Sequence, residues 1–480
     1  MTEIINDIFS AYCQEAVLII AIFSGLIFNF ILGKKFFPFS KYFSITALII
    51  AIISSLKIQI IPTYYAFNGA YVSNFYTVFF KILILISALL ILILSKNILL
   101  KKRTIIYDSY NLILLSTLGA ITLVSANDFL TMFIASQLLG LSIFTFMLFF
   151  KNSENKKTSV KYIINLLISS LITLWGISFI YMSTGSLNFD VIYSFLNNEI
   201  SPSPFFDIGC ILCAIGLTFF ACIIPFSNWT ADIFEKTGKK GTLFFSLIPL
   251  LASFGLISRL IVYIFQYTPM LQALLFIAGI LSIYKGILGL VRQDNLFGFM
   301  GYSVSVQAGF ILLGFCISNP YAVSTSLFYI LAYIPTIIGF FICLNIFLAE
   351  GQIHNISDLK GLAYTNKPLS ILFSIFLFSL AGLPVTAGFW AKIYMFEAII
   401  KCTNLYLLFL GIIMIATIIG IFTYLRPIKE MFNKSENIFI SSSKLNTQKL
   451  LLFVFAIITV AICIFPDKLI QLCQIIAYQL

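Results

Sequence analysis

Of the 480 residues, 60% are hydrophobic and only 10% are charged, and the mean hydropathy is +1.05. A soluble protein carries about a quarter of its residues as charges to face water, so this composition excludes a water-exposed globule and points to a bilayer. The net charge of +11 leaves nucleic-acid binding to be decided by where the charges lie.

Runs of about 20 apolar residues are needed to cross the hydrocarbon of a membrane. They recur near 13–32, 41–61, 75–95, 109–125, 129–149, 162–182, 207–226, 241–265, 271–291, 299–317, 322–348, 369–390, 404–425 and 450–466. The prediction is an all-α membrane protein with about fourteen transmembrane helices. The first span is expected to be retained, because MTEIINDIFSAYCQ is acidic and lacks the basic start of a signal peptide.

Lysines and arginines orient the map, since cytoplasmic loops are the basic ones. Alternate loops hold Lys34, Lys35 and Lys41, then Lys96, Lys101, Lys102 and Arg103, then Lys151, Lys156, Lys157 and Lys161. The same side continues with Lys236, Lys239, Lys240, Arg292, Lys360, Lys367, Arg426, Lys429, Lys434, Lys444 and Lys449. The opposite loops hold only Lys401 and Lys468. Both termini are therefore expected on the non-cytoplasmic side. The same sorting disposes of nucleic acid as a partner, because the cations are spread through short loops and form no patch interleaved with aromatics.

The nine cysteines lie mostly within spans and show no metal or disulfide spacing. Cys210-x-x-Cys213 reads as packing. His354, the only histidine, reads as a solvated loop residue.

A charge in hydrocarbon costs at least about 2.5–3.5 kcal/mol, so ionisable residues inside spans are functional candidates. Glu15 and Asp128 lie at span ends, while Lys57, Lys81 and Arg259 are expected to snorkel. Lys285 lies deep in the ninth span, where a proton-transfer role and a bond to a neighbouring helix are both open. Lys392 is the leading candidate. It ends SLAGLPVTAGFWAK (379–392), where Gly382, Pro384 and Gly388 make a continuous helix unfavourable. A broken helix exposes backbone groups and half-helix dipoles to a hydrated cavity. An amine held there out of bulk water can exchange protons near neutral pH; the alternative is a lysine that only pairs with Glu397.

A similar break falls at FACIIPFSNW (220–229), around Pro225. Two breaks five spans apart predict two inverted repeats of five helices. They would occupy 106–266 and 267–430, after three helices in 1–105 and before a cytoplasmic loop and a last helix in 431–480.

Several stretches together resemble the antiporter-like membrane subunits of respiratory complex I, nearest to the subunit N type of bacterial NADH-quinone oxidoreductases. They are SANDFLTMFIASQ (125–137), the region from Lys161 and Tyr162 to YMSTGSLN (181–188), PFSNWTADIFE (225–235), RQDN (292–295) with GYSVSVQ (301–307), SDLKGL (357–362) and FSLAGLPVTAGFWAK (378–392). The resemblance implies a proton-carrying subunit of the bacterial inner membrane, driven by quinone reduction elsewhere. It implies other membrane subunits and lipid as partners and at most indirect contact with quinone. NADH, flavin and iron–sulfur clusters would belong to other subunits, leaving this chain without a cofactor or metal and not catalytic by itself.

The resemblance also brings out departures. Where such subunits carry a glutamate in the fifth helix, this chain has Gln137; where they carry lysines in the seventh and eighth, Phe220 and Leu250 align; and Gln307 takes the place of a frequent histidine. Of that set Lys392 remains, with Lys285, Gln137 and Gln307 as further members of a reduced proton path. The alternatives are a structural or diverged paralogue with no path of its own, and a cation/proton antiporter subunit.

Overall fold

A computed structural model of the protein describes residues 12–33, 37–56, 63–94, 103–148, 153–198, 203–237, 242–317, 319–350, 353–402, 404–434 and 446–480. The predicted loop cations Lys34, Lys35, Lys96, Lys101, Lys102, Lys151, Lys239, Lys240 and Lys444, and the predicted snorkeller Lys57, lie outside the described residues.

The described residues are predominantly helical, because backbone polar groups in lipid must be satisfied within their own segment. The helices are α1 (Cys13–Leu32), α2 (Phe37–Leu56), α3 (Phe75–Leu94), α4 (Arg103–Ser125), α5 (Phe129–Leu148), α6 (Ser153–Thr184), α7 (Phe189–Asn198), α8 (Pro204–Leu217), α9 (Asn228–Thr237) and α10 (Thr242–Tyr263). They continue as α11 (Pro269–Arg292), α12 (Leu296–Cys316), α13 (Pro320–Glu350), α14 (Leu362–Thr365), α15 (Lys367–Ala381), α16 (Ala387–Ile400), α17 (Asn404–Phe432), α18 (Asn446–Ile464) and α19 (Pro466–Ala477). A small antiparallel hairpin, β1 (Tyr64–Ala66) and β2 (Tyr71–Ser73), joins α2 to α3 and is an addition to the predicted all-α fold. Among the described residues, nine helices are long and apolar enough to cross a membrane alone, and α18 with α19 forms a further pair bent by 84°. Each of the fourteen predicted segments contains helix, but several of those helices are shorter than a span.

Two compact units divide the chain. One comprises Met1–Ala221, Phe244–Ala273 and Gln479–Leu480, the other Cys222–Leu243 and Leu274–Tyr478. In the first unit α1 packs on α2 and α4, α4 on α5, and α6 on α8. Small residues let α6 and α8 approach: a Cβ on Gly176 would stand 2.6 Å from the Cys213 backbone nitrogen. Cys210 and Cys213 are free, buried thiols at this seam.

Two expectations for the first unit are corrected. Lys81 does not snorkel: it is fully buried, and its ammonium lies 2.9 Å from Glu15 Oε1. Arg259 is 3% exposed and donates to the carbonyls of Val124 (2.9 Å) and Ala126 (2.7 Å) and to Asn127 Oδ1 (3.0 Å). Each cation found an acceptor inside the protein, at a contact between distant segments, so neither needs the membrane surface.

In the second unit α12 and α13 are almost wholly buried, and the other helices of the unit pack around them. α13 contacts α12, α15, α16, α18 and α19, which places it at the centre of the broken α15–α16 segment described next.

Candidate functional site

The break between α15 and α16 follows from three residues. Gly382 ends α15 in the left-handed region (φ 80°), which a Cβ disfavours, and its N–H donates to the Phe378 carbonyl at 2.9 Å. Pro384 cannot donate a helical hydrogen bond. Val385 is also left-handed (φ 72°), a strained conformation for a β-branched residue. Gly388 then lets α16 cross α15 closely, since a Cβ there would lie 1.8 Å from the Ser379 carbonyl oxygen.

Lys392 occupies the opening so formed. It is 6% exposed, and its Nζ donates to the carbonyls of Ala381 (2.6 Å) and Leu380 (3.3 Å). These are free carbonyls at the C-terminus of a half-helix, the negative end of its dipole. The ammonium also lies 5.2 Å from the centre of the Phe310 ring. Glu397 is not its partner: that carboxylate takes Lys401 at 2.6 Å and the Tyr321 hydroxyl at 2.7 Å. Lys392 therefore sits among dipoles, with no carboxylate in ion-pair contact among the described residues.

Gln307, on α12, ties this site to its neighbours. Its amide nitrogen donates to the Leu380 carbonyl and to the Tyr424 hydroxyl, both at 3.2 Å, and its oxygen accepts from Tyr329 at 2.5 Å. Tyr424 in turn pairs with Ser303 (2.8 Å), and Thr336 with Ser379 (2.9 Å). A small cavity of about 10 Å³, room for about one water molecule, is lined by Gln307, Tyr329, Tyr333, Thr336, Ser379 and Gly388, among others. The Tyr333 hydroxyl is buried there without a hydrogen-bond partner. Buried polar groups left over in a polar cavity are what ordered water fills.

The other predicted residues are arranged differently. Lys285 is half-buried on α11 and donates to Ser227 Oγ at 2.9 Å, just past Pro225. It borders an open groove of about 400 Å³ lined by Leu288, Gly289, Arg292, Gln293 and Tyr302. At Pro225 the backbone leaves the helix: Cys222 is left-handed (φ 60°), the Ile224–Pro225 bond is cis, and the Ile224 N–H donates to Ser282 Oγ at 2.9 Å. Gln137 is half-buried on α5 in the first unit, not at the Lys392 site. Phe220 and Leu250 are buried apolar side chains, with Phe220 edge-on to Phe219 at 5.1 Å. His354 is exposed.

Sequence reasoning found Lys392, Gln307, Gly382, Pro384 and Gly388 but missed the hydroxyls around them. A signal was available: Tyr329, Tyr333 and Thr336 repeat at helical spacing on one face of an otherwise apolar helix.

The fold and site define a multi-pass helical membrane protein whose broken helix holds a buried amine beside a polar cavity. Residues 126–420 match the family described as NADH:quinone oxidoreductase/Mrp antiporter, transmembrane, and the chain belongs to that family. Relatives called NADH-quinone oxidoreductase subunit N include those of Bartonella bacilliformis, 31% identical over 89% of this chain and 87% of the relative, and Erythrobacter litoralis, 31% identical over 77% and 76%. Solved chains of the same fold come from respiratory complex I of Thermus thermophilus (TM-score 0.80, 22% identity, covering 95% of this chain and 98% of that one) and from an archaeal membrane-bound sulfane sulfur reductase (TM-score 0.86, 20% identity, 98% and 97%).

Proposed function

We propose that this chain is a membrane-arm subunit of an NADH-quinone oxidoreductase in the bacterial inner membrane and that it carries protons through the site around Lys392. The observation that supports this most is the buried Lys392 amine, held by half-helix carbonyls at the edge of a polar cavity. Among the polar side chains around it, the Lys392 amine is the one basic group, able to hold a proton and to release it. Tyr329, Tyr424, Thr336 and Ser379 both donate and accept, so with water in the cavity they can pass a proton to or from the amine. Gln307 orients hydroxyls but cannot store a proton. In this reading the chain has fourteen crossings arranged as two inverted five-helix repeats, with both termini on the non-cytoplasmic side. NADH, flavin and iron–sulfur clusters belong to other subunits, and the isolated chain catalyses no redox reaction. Phe220 and Leu250 supply no ionisable group at their positions in the first unit.

The test is Lys392→Met in the whole complex, reconstituted in vesicles. NADH oxidation should persist while proton uptake per NADH falls. Lys392→Arg separates relay from architecture, because a guanidinium keeps the charge and can bond the same carbonyls but releases no proton. It should fail like the methionine variant. Normal pumping in either variant overturns the assignment.

A further inference from the structure

The first unit contains a second buried acid–base group that the Lys392 route does not use. Glu15 on α1, Tyr71 on β2 and Lys81 on α3 meet in one cluster. Lys81 Nζ lies 2.9 Å from Glu15 Oε1 and 2.5 Å from Tyr71 Oη, and the Tyr71 hydroxyl donates to the same Glu15 oxygen at 2.6 Å. Glu15 is 5% exposed and Lys81 fully buried, and Glu15 Oε2 is buried with no hydrogen-bond partner.

The groups facing the cluster come from several elements. Tyr12 precedes α1 and stands edge-on to Tyr71 at 5.4 Å. Tyr76 on α3 bonds Ser258 on α10. Arg259 follows Ser258 on the same helix and is 3% exposed. Arg259 is itself locked by backbone carbonyls and Asn127, and Asn127 donates to Asp190 at 2.7 Å. Two acids and two bases thus nearly balance. Stability does not explain such a group, because well-packed apolar residues commonly replace a buried ion pair without loss. An intramembrane pair is costly to keep, and the open carboxylate oxygen makes it costlier.

We propose that Glu15, Tyr71 and Lys81 form a second proton-exchange site, reached from the side of the membrane that carries the hairpin. A proton binds Glu15 Oε2 and breaks the ion pair. The Lys81 ammonium, fully buried, is then left without its counter-charge and gives up one proton. One proton enters and one leaves, so the charge of the cluster is unchanged. Tyr71 bridges both partners and can turn its hydroxyl as their roles reverse. Lys81 is six residues into α3, about 9 Å from its start. The hairpin closes over it, with Tyr12 stacked on Phe67 at 5.3 Å. The assignment of that side as non-cytoplasmic, and the use of the site in transport, rest on the function proposed above.

The experiment uses the whole complex in vesicles, with Glu15→Gln, Lys81→Met and the double variant. A purely architectural ion pair predicts that the single variants assemble poorly and that the uncharged double variant recovers assembly and pumping together. Proton exchange predicts that the double variant assembles yet moves fewer protons per NADH. A double variant with the normal ratio overturns the proposal. A second readout needs no variant to pump: because Glu15 takes up its proton before Lys81 releases one, acidification should populate the doubly protonated state, and infrared spectra of the wild-type complex should show a protonated-carboxyl band that grows on acidification and is missing from Glu15→Gln. Absence of that band in the wild type also overturns the proposal. Lys392→Met keeps the two ideas apart. If it pumps normally, the proton role of the chain falls, and the infrared titration alone then decides whether Glu15 exchanges protons.

Discussion

The two breaks, at Pro225 and Pro384, use the same backbone device and differ in what surrounds it. Each places a proline after an apolar helix, and each carries a non-glycine residue in the left-handed region, Cys222 at one and Val385 at the other. Such strain persists only where the surroundings enforce it. At Pro384 the freed carbonyls of Leu380 and Ala381 receive an amine and an amide. At Pro225 the chain leading into the break carries the packed rings of Phe219 and Phe220, Ile224 just before the proline donates to Ser282, and Ser227 just after it accepts from Lys285. Breaking a helix therefore creates unsatisfied backbone groups but does not decide their use. The side chains that come to meet them do, and the buried amine comes to the second break.

The largest effect that would break this comparison is steric. Gly388→Ala sets a Cβ 1.8 Å from a backbone carbonyl that cannot swing aside, so α15 and α16 must part. Overpacking of this kind costs about 3 kcal/mol. The variant complex should melt earlier and lose pumping, whereas a wild-type melting curve would show that the crossing is looser than described. Next comes Gln307→Leu, which leaves the buried Tyr329 hydroxyl and the Leu380 carbonyl without this partner. An orphaned buried polar group costs about 1–3 kcal/mol. Pumping should fall with the stability loss, and Gln307→Glu, which keeps an acceptor for Tyr329, should recover part of it.

Much of this was legible in the chain itself. Apolar runs located the helices, because lipid allows few alternatives. Gly382, Pro384 and Gly388 announced the second break through local chemistry alone. The hidden part consists of contacts between distant segments. Glu15 and Lys81 are 66 residues apart, so neither looks paired when read along the chain, and both look like residues near a surface. Arg259 found its acceptors in the carbonyls of Val124 and Ala126, which have no side-chain signature. Gln307 resembled a loss of function when considered as one position, yet it organises three bonds. Lys392 and Glu397, five residues apart on one helix, suggested a pair that the structure does not form.

Strain offers a smaller and sharper contrast. Val385 is 70% exposed, so Val385→Gly removes a left-handed penalty of about 1–2 kcal/mol while losing little packing. Part of that gain is offset by the greater freedom of glycine in the unfolded chain. A modest rise in melting temperature is expected. Cys222 is fully buried, so Cys222→Gly relieves the same backbone but opens a cavity, and no rise should follow. Equal gains at both positions would mean that the two breaks are held alike.

The smallest effect tests whether Lys392 acts without a carboxylate partner. Glu397 and Lys401 form an ion pair whose side chains are 40% and 56% exposed. Such pairs contribute at most about 1 kcal/mol and weaken with salt. Glu397→Gln should therefore shift melting slightly at low ionic strength and hardly at all at high. Its proton-to-NADH ratio should match that of the unaltered complex, because the amine of Lys392 is held by carbonyls on another half-helix. A loss of pumping as deep as that of Lys392→Met would mean that the carboxylate reaches the amine in some working state. The site would then be an acid–base pair, closer in kind to Glu15 and Lys81 than to a lone amine among dipoles.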